Sequence, residues 1–465
     1  MGSLKKGQEY TCRIVRSAYP DKGIAELDGQ RIDVKGALAG QTVNLRITKI
    51  RNGRYEGKLL SVEERSPIEV NEPFCPHFEH CGGCAYQRIP YDELLKMKGE
   101  QVKDIIDGCT DYDYEFLGIA PSPCEKAYRN KMEFSFGDSC KDGELTLGLH
   151  KLGSFYDILQ ITDCRITNDD YNMIVRFTVE LCRKYGLTYC HKMSHIGYLR
   201  HLLIRRAATT GEILVNLVTT SQYPVDKGSD ESDFLNEFKN GLKGLDLNGS
   251  IVGILHSLND DPADAVKADR IDVLSGKDFF FEEILGQIFK ITTFSFFQTN
   301  SFGAEVLYGI VRDFVGDMKD KNIFDLYSGT GTIAQILAPV AKKVTGVEIV
   351  KEAVESAEMN AALNNLSNCE FICGDVLKVL DDLTEKPDII VLDPPREGIH
   401  PKALTKIMAY GVDRIVYVSC KPTSLARDLE ILNANGYRLV KAKCCDMFPW
   451  TRHIETVCLL NKIKE

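Results

Sequence analysis

A cysteine and two carboxylates near the C-terminus have the chemistry of an active site. Cys420 follows an apolar run, Asp393 opens the motif Asp-Pro-Pro-Arg, and Glu455 opens a later apolar run. A thiolate is a nucleophile, and a carboxylate beside it can accept or donate a proton. A single cysteine on a strand is more often a buried, unreactive side chain. Its combination with two carboxylates predicts an active site at one edge of a sheet.

A glycine-rich turn precedes these residues, where Asp-Leu-Tyr-Ser-Gly-Thr-Gly of residues 325–331 joins a predicted strand to a predicted helix. Glycines at such a junction let the backbone approach a cofactor closely. Glu348 ends the next strand about 20 residues further on, where an acid binds ribose hydroxyls. Asp375 ends the third strand, where an adenine contact is expected. These acids favour an S-adenosylmethionine pocket, although helix capping would explain any single one, and the turn alone does not exclude hydride chemistry.

The Asp-Pro-Pro-Arg motif narrows the chemistry. Its two prolines fix a rigid extended turn after Asp393 that can hold a flat base beside a methyl donor. Methyltransferases that act on amino groups place an aromatic residue after Pro-Pro, whereas this chain has Arg396. Methylation of pyrimidine C5 instead needs a thiolate that adds to C6 and a base that removes the C5 proton. Cys420 and Glu455 are the candidates for these two roles.

An aromatic segment, residues 294–300, lies just before the predicted cofactor-binding turn. Its phenylalanines, among them Phe297, are typical of a strand that enters a core. Gln298 follows them directly. We expect its amide to reach both a base edge and the cofactor.

A cysteine pattern suggests a second kind of site. Cys75, Cys81 and Cys84 have the spacing C-x5-C-x2-C, and Cys164 is a candidate fourth thiol. Thiolate clusters of this kind bind iron–sulfur centres or zinc. Spacing alone does not choose the metal, and the two histidines of residues 77–80 are zinc alternatives to Cys164.

The predicted elements indicate a multidomain α/β chain. Residues 1–64 hold five short β-rich runs broken by turn signals, which predicts an OB-like β-barrel. Residues 65–288 combine the cysteine segment, a helix at about 91–107 and alternating strands. This pattern predicts a central α+β domain with an antiparallel sheet, whose helix at about 91–107 could pack on the catalytic domain. Residues 289–465 show the strand–turn–helix rhythm of a Rossmann-like parallel sheet, closed by an antiparallel pair typical of methyltransferases.

Composition limits the partners and the compartment. The 465 residues carry a net charge of −10 and 16 cysteines. Although the chain is acidic, Lys and Arg exceed Asp and Glu in residues 1–70, which permits local contact with nucleic acid. We find no export signal at the N-terminus and no apolar run of roughly 20 residues. The sequence therefore predicts a cytoplasmic protein with reduced thiols and without a membrane partner.

In this order, the motifs resemble those of the RNA uracil-C5-methyltransferases, the family that contains 23S rRNA enzymes and the tRNA T-loop enzyme. The resemblance covers nearly the whole chain. It implies that residues 1–64 form a TRAM domain, that Cys420 is the nucleophile and that Glu455 is the base. It implies a [4Fe-4S] cluster bound by Cys75, Cys81, Cys84 and Cys164. The positions that it assigns to S-adenosylmethionine or substrate contacts are Gln298, Tyr327, Thr332, Glu348, Asp375 and Asp393.

We therefore expect an S-adenosylmethionine-dependent methyltransferase (EC class 2.1.1) that methylates C5 of a flipped-out uridine in structured RNA. The TRAM barrel and the cluster cysteines favour 23S rRNA, since the most similar tRNA enzymes usually lack both. The tRNA T-loop uridine is the alternative substrate. An RNA-binding chaperone with a vestigial methyltransferase fold is the alternative of another class, and the intact Cys420 and Glu455 argue against it. We expect a monomer.

Overall fold

The computed structural model describes residues 4–224, 230–263, 267–383 and 385–463. The N-terminal strands are β1 (Glu9–Ala18), β2 (Lys22–Leu27), β3 (Gln30–Lys35), β4 (Thr42–Arg51) and β5 (Arg54–Glu64). They close into a barrel in the order β1-β2-β3-β5-β4. Alternate side chains such as Ile32 and Val34 fill its interior, because successive residues of a strand point to opposite faces. The predicted five-stranded barrel is confirmed.

The middle of the chain forms a seven-stranded sheet. Its strands are β7 (Lys131–Gly137), β8 (Thr146–His150), β9 (Ile158–Gln160), β10 (Leu199–Arg206), β11 (Glu212–Thr219), β12 (Ser250–Leu258) and β13 (Arg270–Gly276). Two helices, α2 (Asp169–Lys184) and α3 (Glu231–Lys243), belong to this part of the chain. The sheet order is β13-β12-β11-β10-β7-β8-β9. The prediction of a wholly antiparallel sheet is wrong for β11 and β12, which run parallel because α3 carries the chain back between them.

A hairpin and an eight-stranded sheet complete the fold. The hairpin is β14 (Phe279–Ile284) and β15 (Gln287–Thr292). The sheet contains β6 (Glu115–Ala120), β16 (Met318–Leu326), β17 (Ala341–Glu348), β18 (Cys369–Cys373), β19 (Ile389–Leu392), β20 (Arg414–Ser419), β21 (Tyr437–Cys445) and β22 (Glu455–Lys462). Its order is β18-β17-β16-β19-β20-β22-β21-β6, and β22 is antiparallel to both of its neighbours. The predicted parallel sheet with a closing antiparallel pair is confirmed.

Seven helices accompany this sheet. They are α1 (Tyr91–Asp107), α4 (Ser301–Val315), α5 (Thr332–Leu337), α6 (Lys351–Leu363), α7 (Val376–Asp382), α8 (Pro401–Ala409) and α9 (Pro422–Ala434), and a 3-10 turn at Ala338–Val340 extends α5. Among the helices of the described residues, none combines the length and the apolar character that a bilayer crossing needs.

Residues 91–120 belong to the C-terminal sheet although they precede the central sheet in sequence. Val102 and Ile106 of α1 share a buried core with Leu429 of α9. Strand β6 pairs in parallel with β21 and forms the sheet edge. The helix predicted at about 91–107 has the observed bounds, and it does pack on the C-terminal sheet. Strand β6 has its pairing partner near the other end of the chain, so local sequence patterns could not place it.

The parallel strands bring their C-terminal ends to one edge of the sheet. Every residue of β19 is buried, because helices cover both faces of the sheet. Leu326 at the end of β16 lies beside Val347 of β17 and Leu392 of β19. The residues that follow these strands therefore emerge next to one another, and they build the candidate site.

Candidate active site

Strand register brings the predicted nucleophile and base together. Ser419, the last residue of β20, pairs with Thr456 of the antiparallel β22. Cys420 follows Ser419, and Glu455 precedes Thr456, so the two side chains emerge at the same corner of the sheet. Pro422 begins α9 directly afterwards, and its fixed φ suits the first turn of a helix. The connection that carries Cys420 is therefore short.

Asp393 and Tyr327 emerge from the neighbouring strands. The N–H of Asp393 donates to the carbonyl of Leu326 at 3.4 Å, which ties the start of the Asp-Pro-Pro-Arg turn to β16. Tyr327 has a φ of 67°, a left-handed conformation that bulky side chains rarely adopt. Its N–H donates to the carbonyl of Val347 at 3.0 Å. Since such strain persists where the surroundings hold it, this turn fits a functional site.

The glycine turn forms an open cradle next to Glu348. The carboxylate of Glu348 accepts hydrogen bonds from the N–H of Gly329 at 3.0 Å and of Val350 at 2.9 Å. Gly329 has a φ of 54°, and no heavy atom lies within 4 Å of the place where a Cβ would stand. The hydroxyl of Ser328 is buried, and no described residue forms a hydrogen bond with it. The cradle therefore presents free backbone surface, a carboxylate and an unpaired hydroxyl to a ligand.

One cavity of about 1380 Å³ joins these parts. Seven of the eight predicted catalytic and cofactor-binding residues line it: Gln298, Tyr327, Thr332, Glu348, Asp393, Cys420 and Glu455. A pocket for one small ligand measures about 300–1,000 Å³. The cavity therefore has room for a nucleoside-type cofactor and a second flat ligand.

Asp375 is the predicted residue that does not line the cavity. It caps α7, where its side chain accepts a hydrogen bond from the N–H of Leu377 at 2.9 Å. Burial is the main cause that raises the pKa of Tyr327 to about 12, and the charge of Asp375 adds to this shift. Asp375 thus lies near the cradle but already has a structural role.

Gln298 is held in place by the central sheet. Its carbonyl accepts a hydrogen bond from the Asn130 side chain at 3.0 Å. The preceding Phe297 is buried, with its ring 5.7 Å from that of Phe289. These contacts leave the Gln298 side chain at the cavity wall. The prediction that the phenylalanines form core and the glutamine faces a ligand fits this geometry.

Negative groups crowd the corner around the thiol. Burial raises the pKa of the Asp393 carboxyl to about 7. Burial, and then the charge of Asp393, raise the pKa of Glu455 well above its ordinary value, while Arg396 opposes the shift. Burial, then Glu455 and Asp393, raise the pKa of the Cys420 thiol to about 11, and Arg396 again lowers it. At neutral pH the thiol is therefore protonated, and Asp393, with a pKa of about 7, is ionised in part of the molecules and can then take its proton.

Sequence reasoning missed several residues at this site. Tyr308 of α4 is buried with its hydroxyl against the side chain of Gln298, and the charges of Asp393 and Glu455 contribute to raising its pKa. On a helix rich in apolar residues, a tyrosine is most simply interpreted as core. Arg129 of the central segment and His453 also line the cavity. Of these three residues, His453 alone carried a local signal, since it lies two residues before Glu455.

The four predicted metal-binding cysteines converge outside this cavity. All of them are free thiols: Cys75, Cys81, Cys84 and Cys164. Burial first, and then the other three thiols, raise the pKa of Cys84 to about 12. Cys81 is raised to about 11 by burial and by two of the others. The thiols therefore lie close enough to interact electrostatically. The described part of the chain nevertheless has no group of three or more His, Cys, Asp or Glu side chains arranged to hold a metal ion.

Backbone contacts fix this four-cysteine cluster. The N–H of Cys164 donates to the Asn172 side chain at 2.8 Å, and that of Cys75 donates to the Gln87 side chain at 3.1 Å. Cys81 forms an isolated β-bridge with Lys151. The segment after the barrel is thus tied to the central sheet.

A parallel sheet closed by an antiparallel pair, with a glycine cradle after one strand and an acid at the end of the next, defines an S-adenosylmethionine-dependent methyltransferase. The sequence model of the tRNA (Uracil-5-)-methyltransferase family matches residues 285–463. A Clostridium tetani protein described as an uncharacterised RNA methyltransferase is 47% identical over 460 residues, which cover 99% of each chain. The chain belongs to the RNA uracil-5-methyltransferase family.

Further relatives extend this similarity over the whole chain. An RNA methyltransferase from Caldanaerobacter subterraneus is 45% identical, with 99% of this chain and 100% of the relative covered. A solved structure of Pyrococcus abyssi tRNA (uracil-54, C5)-methyltransferase in complex with S-adenosyl-L-homocysteine matches with a TM-score of 0.74 and 25% identity. The match covers 97% of this chain and 100% of that one. The predicted family and the predicted S-adenosylmethionine dependence are confirmed.

Proposed function

We propose that this chain methylates C5 of a uridine in structured RNA, with 23S rRNA as the substrate. The observation that carries the proposal is the meeting of Cys420, Glu455 and Asp393 at one corner of the cavity that the glycine cradle opens into. Uracil C5 is a poor nucleophile until a group adds to C6, so a thiol beside the methyl donor is the part that this reaction requires.

Cys420 acts first. Its proton passes to the ionised carboxylate of Asp393 as the target base enters, and the sulfur electron pair forms a bond to C6. Glu455 stays ionised for the later step. The electrons of the C5–C6 double bond move toward C5 and O4, which makes C5 an enolate carbon. Bound S-adenosylmethionine supplies an electrophilic methyl group for that carbon.

Glu455 completes the reaction. As a carboxylate it accepts the proton from C5, and the electrons of that C–H bond restore the C5–C6 double bond. The bond between C6 and the sulfur of Cys420 breaks at the same time, and the sulfur keeps the electron pair, which releases the methylated base. The thiolate then takes back the proton held by Asp393, and Glu455 gives the C5 proton to solvent. A carboxylate whose pKa is raised by burial is a stronger base than an exposed one, which supports this role.

The cradle residues hold the cofactor in this proposal. Glu348 binds the ribose hydroxyls, since each of its oxygens accepts one backbone hydrogen bond and retains a second lone pair. Tyr327 and Thr332 line the same wall, and Asp375 contributes at the adenine end. Gln298 presents its amide to the cofactor and to the target base.

We also propose that Cys75, Cys81, Cys84 and Cys164 bind a [4Fe-4S] cluster. Four thiols that are buried or partly buried and close together are costly to ionise, and binding of a metal centre offsets that cost. Soft thiolate ligands suit iron–sulfur clusters. Such a centre would join residues 75–84 to residue 164. Anaerobically purified protein should be brown with broad visible absorption, whereas colourless protein with stoichiometric zinc would support the His77 and His80 alternative.

The substrate is proposed from the accessory parts of the chain. The barrel and the four-cysteine cluster favour 23S rRNA, as the family resemblance implies. The tRNA T-loop uridine is the second candidate, because the Pyrococcus abyssi relative is described as a tRNA (uracil-54, C5)-methyltransferase and matches over its full length.

A single comparison tests the substrate. Ribosomal and transfer RNA are prepared from a strain that lacks this protein and incubated with purified enzyme and S-adenosylmethionine labelled in the methyl group. We expect label in 5-methyluridine of 23S rRNA and none in tRNA. Label confined to tRNA would show that the T-loop uridine is the substrate. Label in neither RNA would refute the proposed activity.

A further inference from the structure

A turn of the N-terminal barrel reaches the catalytic sheet. Tyr19 lies between β1 and β2, and its partly buried ring packs against the core of the C-terminal sheet that contains Tyr417 and Ile454. The other partly buried tyrosines of the barrel, Tyr10 and Tyr55, pack against the barrel's own core. Tyr19 therefore packs on the C-terminal sheet and not on the barrel's own core.

Two contacts anchor this turn. Asp21 is 8% exposed and forms an ion pair with Arg452 at 3.4 Å. Its other carboxylate oxygen accepts a hydrogen bond from the hydroxyl of Tyr86 at 3.3 Å. Arg452 directly precedes His453, which lines the cavity. The turn is thus fastened to the segment that leads into Glu455.

Tyr19 also lies within electrostatic reach of the reacting groups. Burial is the first cause that raises its pKa to about 12, and the charges of Cys420 and Glu455 follow. The nearby guanidinium of Arg396 opposes the shift. Among the described residues Tyr19 is not part of the cavity lining, but it lies close enough to Cys420, Glu455 and Arg396 for their charges to act on its hydroxyl.

We propose that Tyr19 is a substrate-positioning residue that contacts the flipped-out target nucleotide, so that the barrel completes the catalytic site. This inference rests on the proposed function. A base removed from its stack needs flat or polar protein groups around it, and aromatic side chains commonly supply them. The barrel then does more than bind RNA backbone at a distance, because one of its side chains helps to hold the reacting base.

Steady-state methylation of RNA tests the role of Tyr19. Tyr19→Ala should lower kcat/KM for RNA about tenfold or more, as the loss of one contact between a base and an aromatic side chain does. The affinity for S-adenosylhomocysteine, measured by calorimetry, should stay unchanged. Tyr19→Phe should keep most of the activity, and Tyr19→Leu, which preserves apolar bulk against the catalytic core, should not. Tyr55→Ala is the matched control for a general loosening of the barrel.

Equal losses in Tyr19→Ala and Tyr55→Ala, or wild-type kcat/KM in a folded Tyr19→Leu variant, would overturn the inference. A second measurement does not depend on turnover. RNA that carries 4-thiouridine at the target position, when irradiated with the wild-type protein, should crosslink to the tryptic peptide of residues 17–22. Absence of that crosslink would also overturn the inference. Failure of the wild-type protein to methylate any RNA would instead refute the proposed function.

Discussion

The Cys420 thiol lies among groups that resist its ionisation. Its pKa is raised to about 11 by burial and by the carboxyls of Glu455 and Asp393, with Arg396 as the opposing cation. A resting thiol of this kind is protected from adventitious reaction, because the thiolate is the reactive form. In the proposed mechanism, ionisation of the thiol is coupled to entry of the target uracil, which brings an electrophilic C6 to the sulfur.

Replacement of the nucleophile should abolish methylation. Cys420→Ala removes the covalent route, and we expect methyl transfer to fall on the order of 1,000-fold or more, since loss of a catalytic nucleophile has effects of at least that size. The measurement is label incorporation into RNA. Cys140→Ala, which removes an exposed thiol outside the cavity, is the control and should retain full activity.

Replacement of the base should trap the covalent complex. Glu455→Gln leaves Cys420 in place, so the sulfur can still add to C6 and the methyl group can still transfer. Removal of the C5 proton should slow by about 100- to 10,000-fold, the usual contribution of a general base. A complex of protein and RNA that resists denaturing electrophoresis should therefore accumulate. Turnover at the wild-type rate would exclude Glu455 from this role.

The buried acid Asp393 makes stability depend on pH. Because its pKa is raised from 3.8 to about 7, the folded protein binds this proton more tightly than the unfolded chain. Its contribution to stability is full below the unfolded pKa and is lost as pH rises through about 7. Asp393→Asn has no such proton. Its Tm should therefore rise relative to that of the wild type as the pH increases from about 5 to about 8.5, by about 2–4 °C for each kcal/mol of stability that the wild type loses. A constant Tm difference across that range, measured by calorimetry, would contradict this account.

At the residue scale, motifs predicted some of the cavity-lining residues and missed others. Cys420, Asp393 and Glu455, which all line the cavity, could be predicted because each follows or begins an apolar run and is chemically unusual there. Tyr308 was missed because a buried aromatic on a helix has the same pattern whether it contacts a core or a reacting group. Arg129 was missed because it reaches the cavity from a different domain.

At the scale of elements, helix α1 positions the segment that leads to Glu455. Lys98 and Asp446 form an ion pair at 2.7 Å, with side chains 3% and 0% exposed. Lys98 also donates to the carbonyl of His453 at 3.0 Å, and the hydroxyl of Tyr91 donates to Asp446 at 3.0 Å. The segment between β21 and β22 is therefore fixed by a helix from a distant part of the sequence.

Removal of one partner of this pair should be costly. Lys98→Met leaves Asp446 buried without its cation, and we expect a loss of about 3–5 kcal/mol in the free energy of unfolding. Urea titration followed by circular dichroism measures it. The double variant Lys98→Met with Asp446→Asn should recover part of the loss, because it removes the unpaired charge. No recovery would show that the cost arises from packing.

Elements with local signals were predicted well, and those defined by distant pairing were not. The bounds of α1 follow from its apolar periodicity and were predicted correctly. The parallel pairing of β11 with β12 depends on where α3 crosses the sheet, and the place of β6 depends on a partner near the C-terminus. Neither leaves a pattern within its own residues.

At the scale of the whole molecule, three units meet near one cavity. The C-terminal sheet supplies Cys420 and Glu455, the central part supplies Arg129 at the cavity wall, and the barrel turn packs on the core of the C-terminal sheet through Tyr19. A cavity assembled in this way can couple the binding of a folded RNA to the placement of one nucleobase.

Metal removal should weaken the molecule as a whole. If a cluster joins residues 75–84 to Cys164, its binding energy is part of the folding energy. Treatment with a chelator in air should therefore bleach the visible absorption and lower Tm, by about 2–4 °C for each kcal/mol lost. Scanning calorimetry of treated and untreated protein checks this, and bleaching without any change in Tm would contradict a structural role.

The placement of β6 at the edge of the last sheet has a consequence for synthesis. This strand leaves the ribosome early, whereas its partner β21 is made near the end, so the edge of the nascent catalytic unit stays open until the two segments find each other. Open edges invite pairing with other chains. A fragment that starts at residue 289 would keep Cys420 and Glu455 but lack this protective strand, and it should aggregate unless residues 91–120 are supplied in trans.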